Sequence, residues 1–118
     1  TPTIVLKNNT PYIVAGTPGG TTIPTSVFQT LVNILDFGMS AEDAVNKPKF
    51  HHQWLPDEIM IERDFDKLAK KQLQQMGYIL KDRGQIGRTE VIVITTDKGK
   101  RIITAVGDKR GDDAAEGY

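Results

Sequence analysis

A chain of 118 residues with 38% hydrophobic content suits a single domain, one that buries roughly two-thirds of its unfolded surface. Lysine plus arginine number 15, as do aspartate plus glutamate, so the formal net charge is zero and nucleic acid is not an expected partner. No apolar run approaches the ~20 residues that span a bilayer, no charged-then-apolar leader opens the chain as written, and the lack of cysteine removes disulfides, thiolate chemistry and cysteine-ligated metal.

The chain alternates strands and helices without repeats. Thr3–Lys7 and Tyr12–Gly16 are β-branched runs joined by Asn8-Asn9-Thr10-Pro11, which predicts a hairpin. A turn around Gly19-Gly20 leads to a helix from Pro24 to Phe37, with Val27, Leu31, Ile34 and Leu35 at helical spacing and Gly38 as its stop. Ser40 is placed to cap a short helix that ends before Lys47-Pro48, because the residue preceding proline avoids the α region. The first half of Phe50–Glu62 reads as an ordered loop and Glu58–Glu62 as a short strand. Asp64–Met76 predicts a helix with Phe65, Leu68, Ala69, Leu73 and Met76 on one side and Gly77 as cap. Glu90–Thr96 and Arg101–Val106 form a second hairpin. The first of these strands, apolar on both faces at Val91-Ile92-Val93-Ile94, is expected to lie centrally and to be covered on both sides. Asp108 to Tyr118 reads as a polar tail of small residues. The class is α+β with antiparallel sheet.

Several residues invite chemistry. Gly16-Thr17-Pro18-Gly19-Gly20-Thr21-Thr22 has hydroxyls but no lysine, which argues against a nucleotide-phosphate loop. Two readings remain open for Gly19 and Gly20: a backbone bend that only glycine accepts, or an oxyanion hole at a strand-to-helix junction, with backbone N–H groups facing a developing negative charge. His51 and His52 are adjacent on an extended stretch and point to opposite sides, with no carboxylate at a recognised ligand spacing, so no metal is expected. Instead, one imidazole and Trp54 should bury against the helices while the other imidazole bonds a backbone carbonyl. Asp112 and Asp113 read as a solvated surface or local ion pairs. Thr1 matches the pattern of an N-terminal threonine nucleophile, but the Pro2 and strand that follow it argue for an ordinary strand entry.

The segments "TPTIV", "AGTPGG", "VNILDFGMSAEDAVNKPKFHHQWLPDE" and "GDKRGDDAAEGY" resemble, in order and with compatible spacing, the C-terminal part of the small subunit of γ-glutamyltranspeptidases. The stretch "PKFHHQWLPDE" and the final "GY" are the most specific.

That resemblance implies an N-terminal-nucleophile hydrolase fold, a four-layer αββα sandwich with two antiparallel sheets, produced by autocatalytic cleavage of a precursor. It implies transfer of the γ-glutamyl group of glutathione and related amides to water, an amino acid or a peptide, through a threonine acyl-enzyme and without a cofactor. Gly19 and Gly20 match the glycines of the oxyanion hole, with Gly20 against the substrate, and Thr17 stands where many relatives carry serine. The nucleophile and the paired serines that hold the glutamyl group would lie upstream of Thr1. The partners implied are therefore the large subunit and the upstream part of the small subunit, and the compartment implied is the periplasm or cell surface. Three alternatives follow: this family, a related acylase or poly-γ-glutamate depolymerase, or a non-catalytic module that binds through the face where the missing part packs. An exposed apolar patch would suit the first and the last.

Overall fold

The computed structural model describes residues 2–117; Thr1, weighed above as a nucleophile, and Tyr118, the end of the terminal motif, lie outside them. Asn8 and Asn9 both take positive φ, 52° and 62°, a conformation that asparagine tolerates better than most residues. The first hairpin therefore turns on two residues, not four, and strand β1 (Thr3–Lys7) pairs antiparallel with a longer β2 (Thr10–Gly16). A bulge between Val5 and Leu6 takes up the offset opposite Pro11.

A one-turn 3-10 segment, Gly20–Thr22, runs into helix α1 (Ile23–Leu35), which has Pro24 in its first turn, where a missing N–H costs nothing. Helix α2 (Ala41–Asn46) starts at Ser40, whose side chain accepts from Asp43 N, and stops at Lys47 before Pro48, as the sequence predicts. In the stretch read as a loop, Phe50 and His51 form a two-residue strand β3, antiparallel to β4 (Ile59–Ile61). Helix α3 (Lys67–Gln75) begins three residues later than the periodicity suggested, because the Asp66 side chain accepts from Ala69 N and so sets the first turn. Phe65 is left outside the helix, edge-on to Phe50 with ring centroids 5.9 Å apart. No residue of α3 is buried; Leu68 and Met76, expected on a packed side, are 63% and 71% exposed.

Strand β5 (Leu80–Asp82), which the periodicity did not reveal, pairs parallel with β4, so the small sheet β3-β4-β5 is mixed and not purely antiparallel. The large sheet, β1-β2-β6-β7, is antiparallel throughout, with β6 (Glu90–Asp97) and β7 (Lys100–Val106) turning at Lys98-Gly99. Ile13, Ala15, Val91 and Val93 share one face and form the core with Val27 and Ile34 of α1 and Ala44 and Val45 of α2. The opposite face carries Ile4, Val14, Ile92, Ile94, Ile103 and Ala105 in matching registers. Ile4 is 62% exposed, Ile92 39% and Ile103 59%. β6 is thus central in the sheet but covered on one side only, which corrects the expectation that both sides are covered.

Candidate active site

β2 ends at Gly16, and the chain turns through Thr17, Pro18 and Gly19 before the 3-10 segment begins at Gly20. Gly19 has φ +140° and Gly20 φ +60°, so both occupy the region that L side chains rarely adopt. A Cβ on Gly19 would overlap Thr22 Oγ1, whereas a Cβ on Gly20 would find nothing within 4 Å. The turn is therefore closed at Gly19 and open at Gly20. It sits just ahead of the N-terminal end of α1, on the side of that helix's partial positive charge.

Two threonine hydroxyls tie the turn. Thr17 Oγ1 donates to Pro18 O at 2.8 Å and accepts from Arg88 N at 2.8 Å. Thr22 Oγ1 donates to Gly19 O at 2.9 Å, and Thr22 N donates to the same oxygen at 3.2 Å. The segment Gln85–Thr89 packs against this turn at Gly87, where a Cβ would come within 2.7 Å of Ser26 Oγ and 2.9 Å of Thr17 Oγ1. A cavity of about 430 Å³ opens here, with Pro18, Gly19, Gly87, Arg83 and Arg88 among its lining residues.

The segment behind the turn is held by a buried ionic cluster that sequence reasoning did not find. Glu62 accepts from Ile86 N (2.8 Å) and Lys49 N (2.8 Å), and Asp108 accepts from Thr89 N at 2.7 Å. Arg110 joins the two carboxylates: Nε and one terminal nitrogen reach the Glu62 oxygens at 2.7 and 2.5 Å, and the other nitrogen reaches Asp108 at 2.9 Å. The remaining Arg110 donors go to Val45 O and Lys47 O at the end of α2. Lys49 Nζ donates to Val45 O at 2.6 Å and lies 3.7 Å from Asp108. Far from being a loose polar tail, the segment after β7 contains Asp108, with no exposed surface, and Arg110, whose side chain is 7% exposed.

Each of these groups is shifted for a stated reason. Burial, and next the Arg110 charge, push Lys49 down to about 8. Burial acts to raise both carboxyls, but the donors outweigh it. Hydrogen bonds from Arg110, Lys49 N and Ile86 N hold Glu62 below its ordinary value, and those from Thr89 N and Arg110 N, with the Lys49 charge, do the same for Asp108. No spacing rule joins residues 48 positions apart, as Glu62 and Arg110 are. Nor does the local sequence mark them: Lys49 follows Lys47-Pro48 and Glu62 precedes Arg63-Asp64, so each reads as one more surface charge.

The histidine region departs from expectation in part. His51 is 2% exposed, as one of the pair was expected to be, and its ring bonds Thr25 Oγ1 at 2.8 Å and Gln53 Oε1 at 3.0 Å. His52 bonds the Asp57 carboxylate at 3.1 Å and not a backbone carbonyl, because the turn at Pro56 brings Asp57 back beside it. Trp54, expected to bury, is 76% exposed and sits at a positive φ of +75°. Asp113 makes the local ion pair foreseen for it, with Arg88 Nε at 3.0 Å, while Asp112 is exposed. Among the described residues no three His, Asp or Glu side chains gather to hold a metal ion.

The family model described as gamma-glutamyltranspeptidase matches residues 1–118, the whole chain. The chain belongs to the gamma-glutamyltranspeptidase family. It is 38% identical over 117 residues to the glutathione hydrolase proenzyme of Escherichia coli, covering 99% of this chain and 20% of that protein. A crystal structure of a gamma-glutamyltranspeptidase mutant from Helicobacter pylori superimposes with TM-score 0.90 at 38% identity, over 94% of this chain and 60% of that one. A cephalosporin acylase from Bacillus halodurans shares the fold, with TM-score 0.83 at 24% identity over 99% of this chain and 22% of that one. The chain thus spans about a fifth of the curated gamma-glutamyltranspeptidase relative and three-fifths of the solved chain. The α+β class, as part of an N-terminal-nucleophile hydrolase sandwich, is borne out, the small sheet being mixed where antiparallel pairing was expected. No described helix is long and apolar enough to cross a membrane.

Proposed function

We propose that this chain is a single domain, residues 1–118, forming the C-terminal portion of the small subunit of a γ-glutamyltransferase and glutathione hydrolase, in which the Gly19–Gly20 turn is the oxyanion hole. The observation that carries the reading is the turn itself: two glycines at positive φ ahead of α1, with open space at Gly20, in a chain of this family. A threonine from the upstream part of the small subunit attacks the γ-carbonyl of glutathione or another γ-glutamyl amide. Negative charge then develops on the carbonyl oxygen, and the N–H groups of Gly19 and Gly20 stabilise it more than they stabilise the planar amide. Collapse expels the amine and leaves an acyl-threonine, which water or an acceptor amine resolves through the same oxyanion. The large subunit and the upstream segment complete the site, after autoproteolysis of a precursor exported to the periplasm or cell surface.

The test is amine release from a γ-glutamyl anilide by the chain alone and by the chain produced together with the upstream segments of its gene. Release only in the second case supports the reading. Release by the chain alone restores Thr1 as the nucleophile. Release from cephalosporin side-chain amides or poly-γ-glutamate in preference to γ-glutamyl amides reassigns the substrate, and no release from any of them leaves a non-catalytic module.

A further inference from the structure

A glycine pair is a poor fixture for two donors, because without Cβ atoms its peptide planes rotate at little cost. An oxyanion hole works only when its N–H groups are already aimed before the charge develops. The hydrogen bonds around Gly19 and Gly20 resolve that conflict. In a trans peptide unit the C=O and the N–H lie in one plane and point in opposite directions within it, so whatever holds the carbonyl also aims the N–H of the next residue. The Pro18 carbonyl shares a plane with Gly19 N–H, and the Gly19 carbonyl shares one with Gly20 N–H.

Resting on the oxyanion reading above, we propose that Thr17 and Thr22 are positioning residues whose hydroxyls aim the Gly19 and Gly20 donors. Thr17 Oγ1 holds Pro18 O at 2.8 Å, and Thr22 Oγ1 holds Gly19 O at 2.9 Å. Both threonines are buried, 6% and 1% exposed, so neither bond competes with water. The Thr17 hydroxyl is itself fixed by the N–H it accepts from Arg88. That N–H belongs to the segment whose neighbouring amides, Ile86 and Thr89, are held by Glu62 and Asp108. The aim of the first donor is thereby referred to the buried ionic cluster and not to the flexible turn alone.

The two hydroxyls are not equivalent. Gly19 O keeps a second bond, from Thr22 N, when the Thr22 hydroxyl is removed. Among the described residues, Thr17 Oγ1 is the one donor to Pro18 O. Losing it frees the Pro18–Gly19 plane to turn.

The experiment uses the complete processed protein with a γ-glutamyl anilide, and compares Thr17→Val, Thr17→Ser and Thr22→Val with Gly20→Ala as reference. Thr17→Val should lower kcat by ~10-fold or more with KM within about twofold, since misaiming a donor forfeits part of the ~10²–10³ that a donor supplies. Thr17→Ser should return kcat to within about threefold, because the hydroxyl and its two bonds are kept. Thr22→Val should cost only about threefold, because the backbone bond remains. Affinity for a boronic-acid analogue of glutamate, which becomes tetrahedral in the site, should fall in step with kcat while affinity for glutamate does not. Unchanged kcat and boronate affinity in Thr17→Val, or losses that serine fails to rescue, overturn the proposal. If Thr17→Val does not accumulate, Thr22→Val decides, and boronate affinity equal to the parent's overturns it. Wild-type turnover in Gly20→Ala would instead remove the oxyanion reading itself; a slow Gly20→Ala beside a normal Thr17→Val would remove only the positioning role.

Discussion

At the scale of single residues, the two glycines of the turn differ in what a methyl group would meet. On Gly19 it would overlap Thr22 Oγ1, whereas on Gly20 it would enter open space at φ +60°. Gly20→Ala therefore costs stability only through its backbone, of order 1 kcal/mol. Alanine resists φ +60°, and a backbone that relaxes from it turns the Gly20 N–H off its aim, so kcat in the complete enzyme should fall ~10²-fold with a much smaller change in KM, read by steady-state kinetics. Lys49 offers a second residue-scale prediction. It is nearly all buried, and its ammonium is held down to about 8 against 10.5 for an ordinary lysine. Between those two values the unfolded chain binds the proton that the folded chain has released, so stability rises with pH across the window from about 8 to 10.5. Lys49→Met should flatten that rise, measured as the difference in Tm between variant and parent from pH 7.5 to 10.5.

At the scale of elements, Arg110 is the joint. Its guanidinium ties the segment after β7 to Glu62 just beyond β4, to Asp108 and to the last carbonyls of α2. Removing it leaves Glu62 with only backbone donors and Asp108 with backbone donors and the Lys49 ammonium 3.7 Å away, and breaking a buried pair from one side costs about 3–5 kcal/mol. Arg110→Met should lower Tm by many degrees, and Arg110→Lys should recover little, because a point charge cannot engage Glu62 in two-pronged fashion and reach Asp108 as well. The same carboxylates set the acid limit. Both titrate below their ordinary values, 4.5 for glutamate and 3.8 for aspartate, so their contribution is complete above about pH 4.5 and is lost as pH falls through the depressed values. Thermal unfolding from pH 6 to 2 should show a steeper acid fall in the parent than in Glu62→Gln.

At the scale of the whole molecule, the four-stranded sheet has one face packed on α1 and α2 and one bearing Ile4, Ile92 and Ile103, each more than a third exposed. A half-covered sheet of this kind fits a chain that spans about a fifth of its curated relative, and the large subunit and upstream segment proposed above are the partners it would pack against. Produced alone, the chain should self-associate at micromolar concentration and bind a hydrophobic dye. Replacing Ile92 and Ile103 by threonine should reduce both effects, and production with the upstream segments should abolish them. Gel filtration with dye fluorescence reads each outcome.

The local elements were legible in the sequence because their causes are local. Val27, Leu31 and Ile34 declare α1 by spacing, Ser40 starts α2 with its own oxygen, Pro48 stops it, and turn residues close both hairpins. The family was legible too, since whole motifs carried it. What the tertiary structure alone decided are the arrangements that depend on residues distant in sequence. The parallel partner of β4 is one, and the cluster that joins Lys49, Glu62, Asp108 and Arg110 is another, since neither periodicity nor composition encodes which charges will share a dry site. The exposure of Trp54 is a third, since residue type alone favours burial there. The glycine pair stands between the two: its chemistry could be named from residue types, but the hydroxyls holding each peptide plane appear only once Thr17, Thr22 and Arg88 are brought together in space.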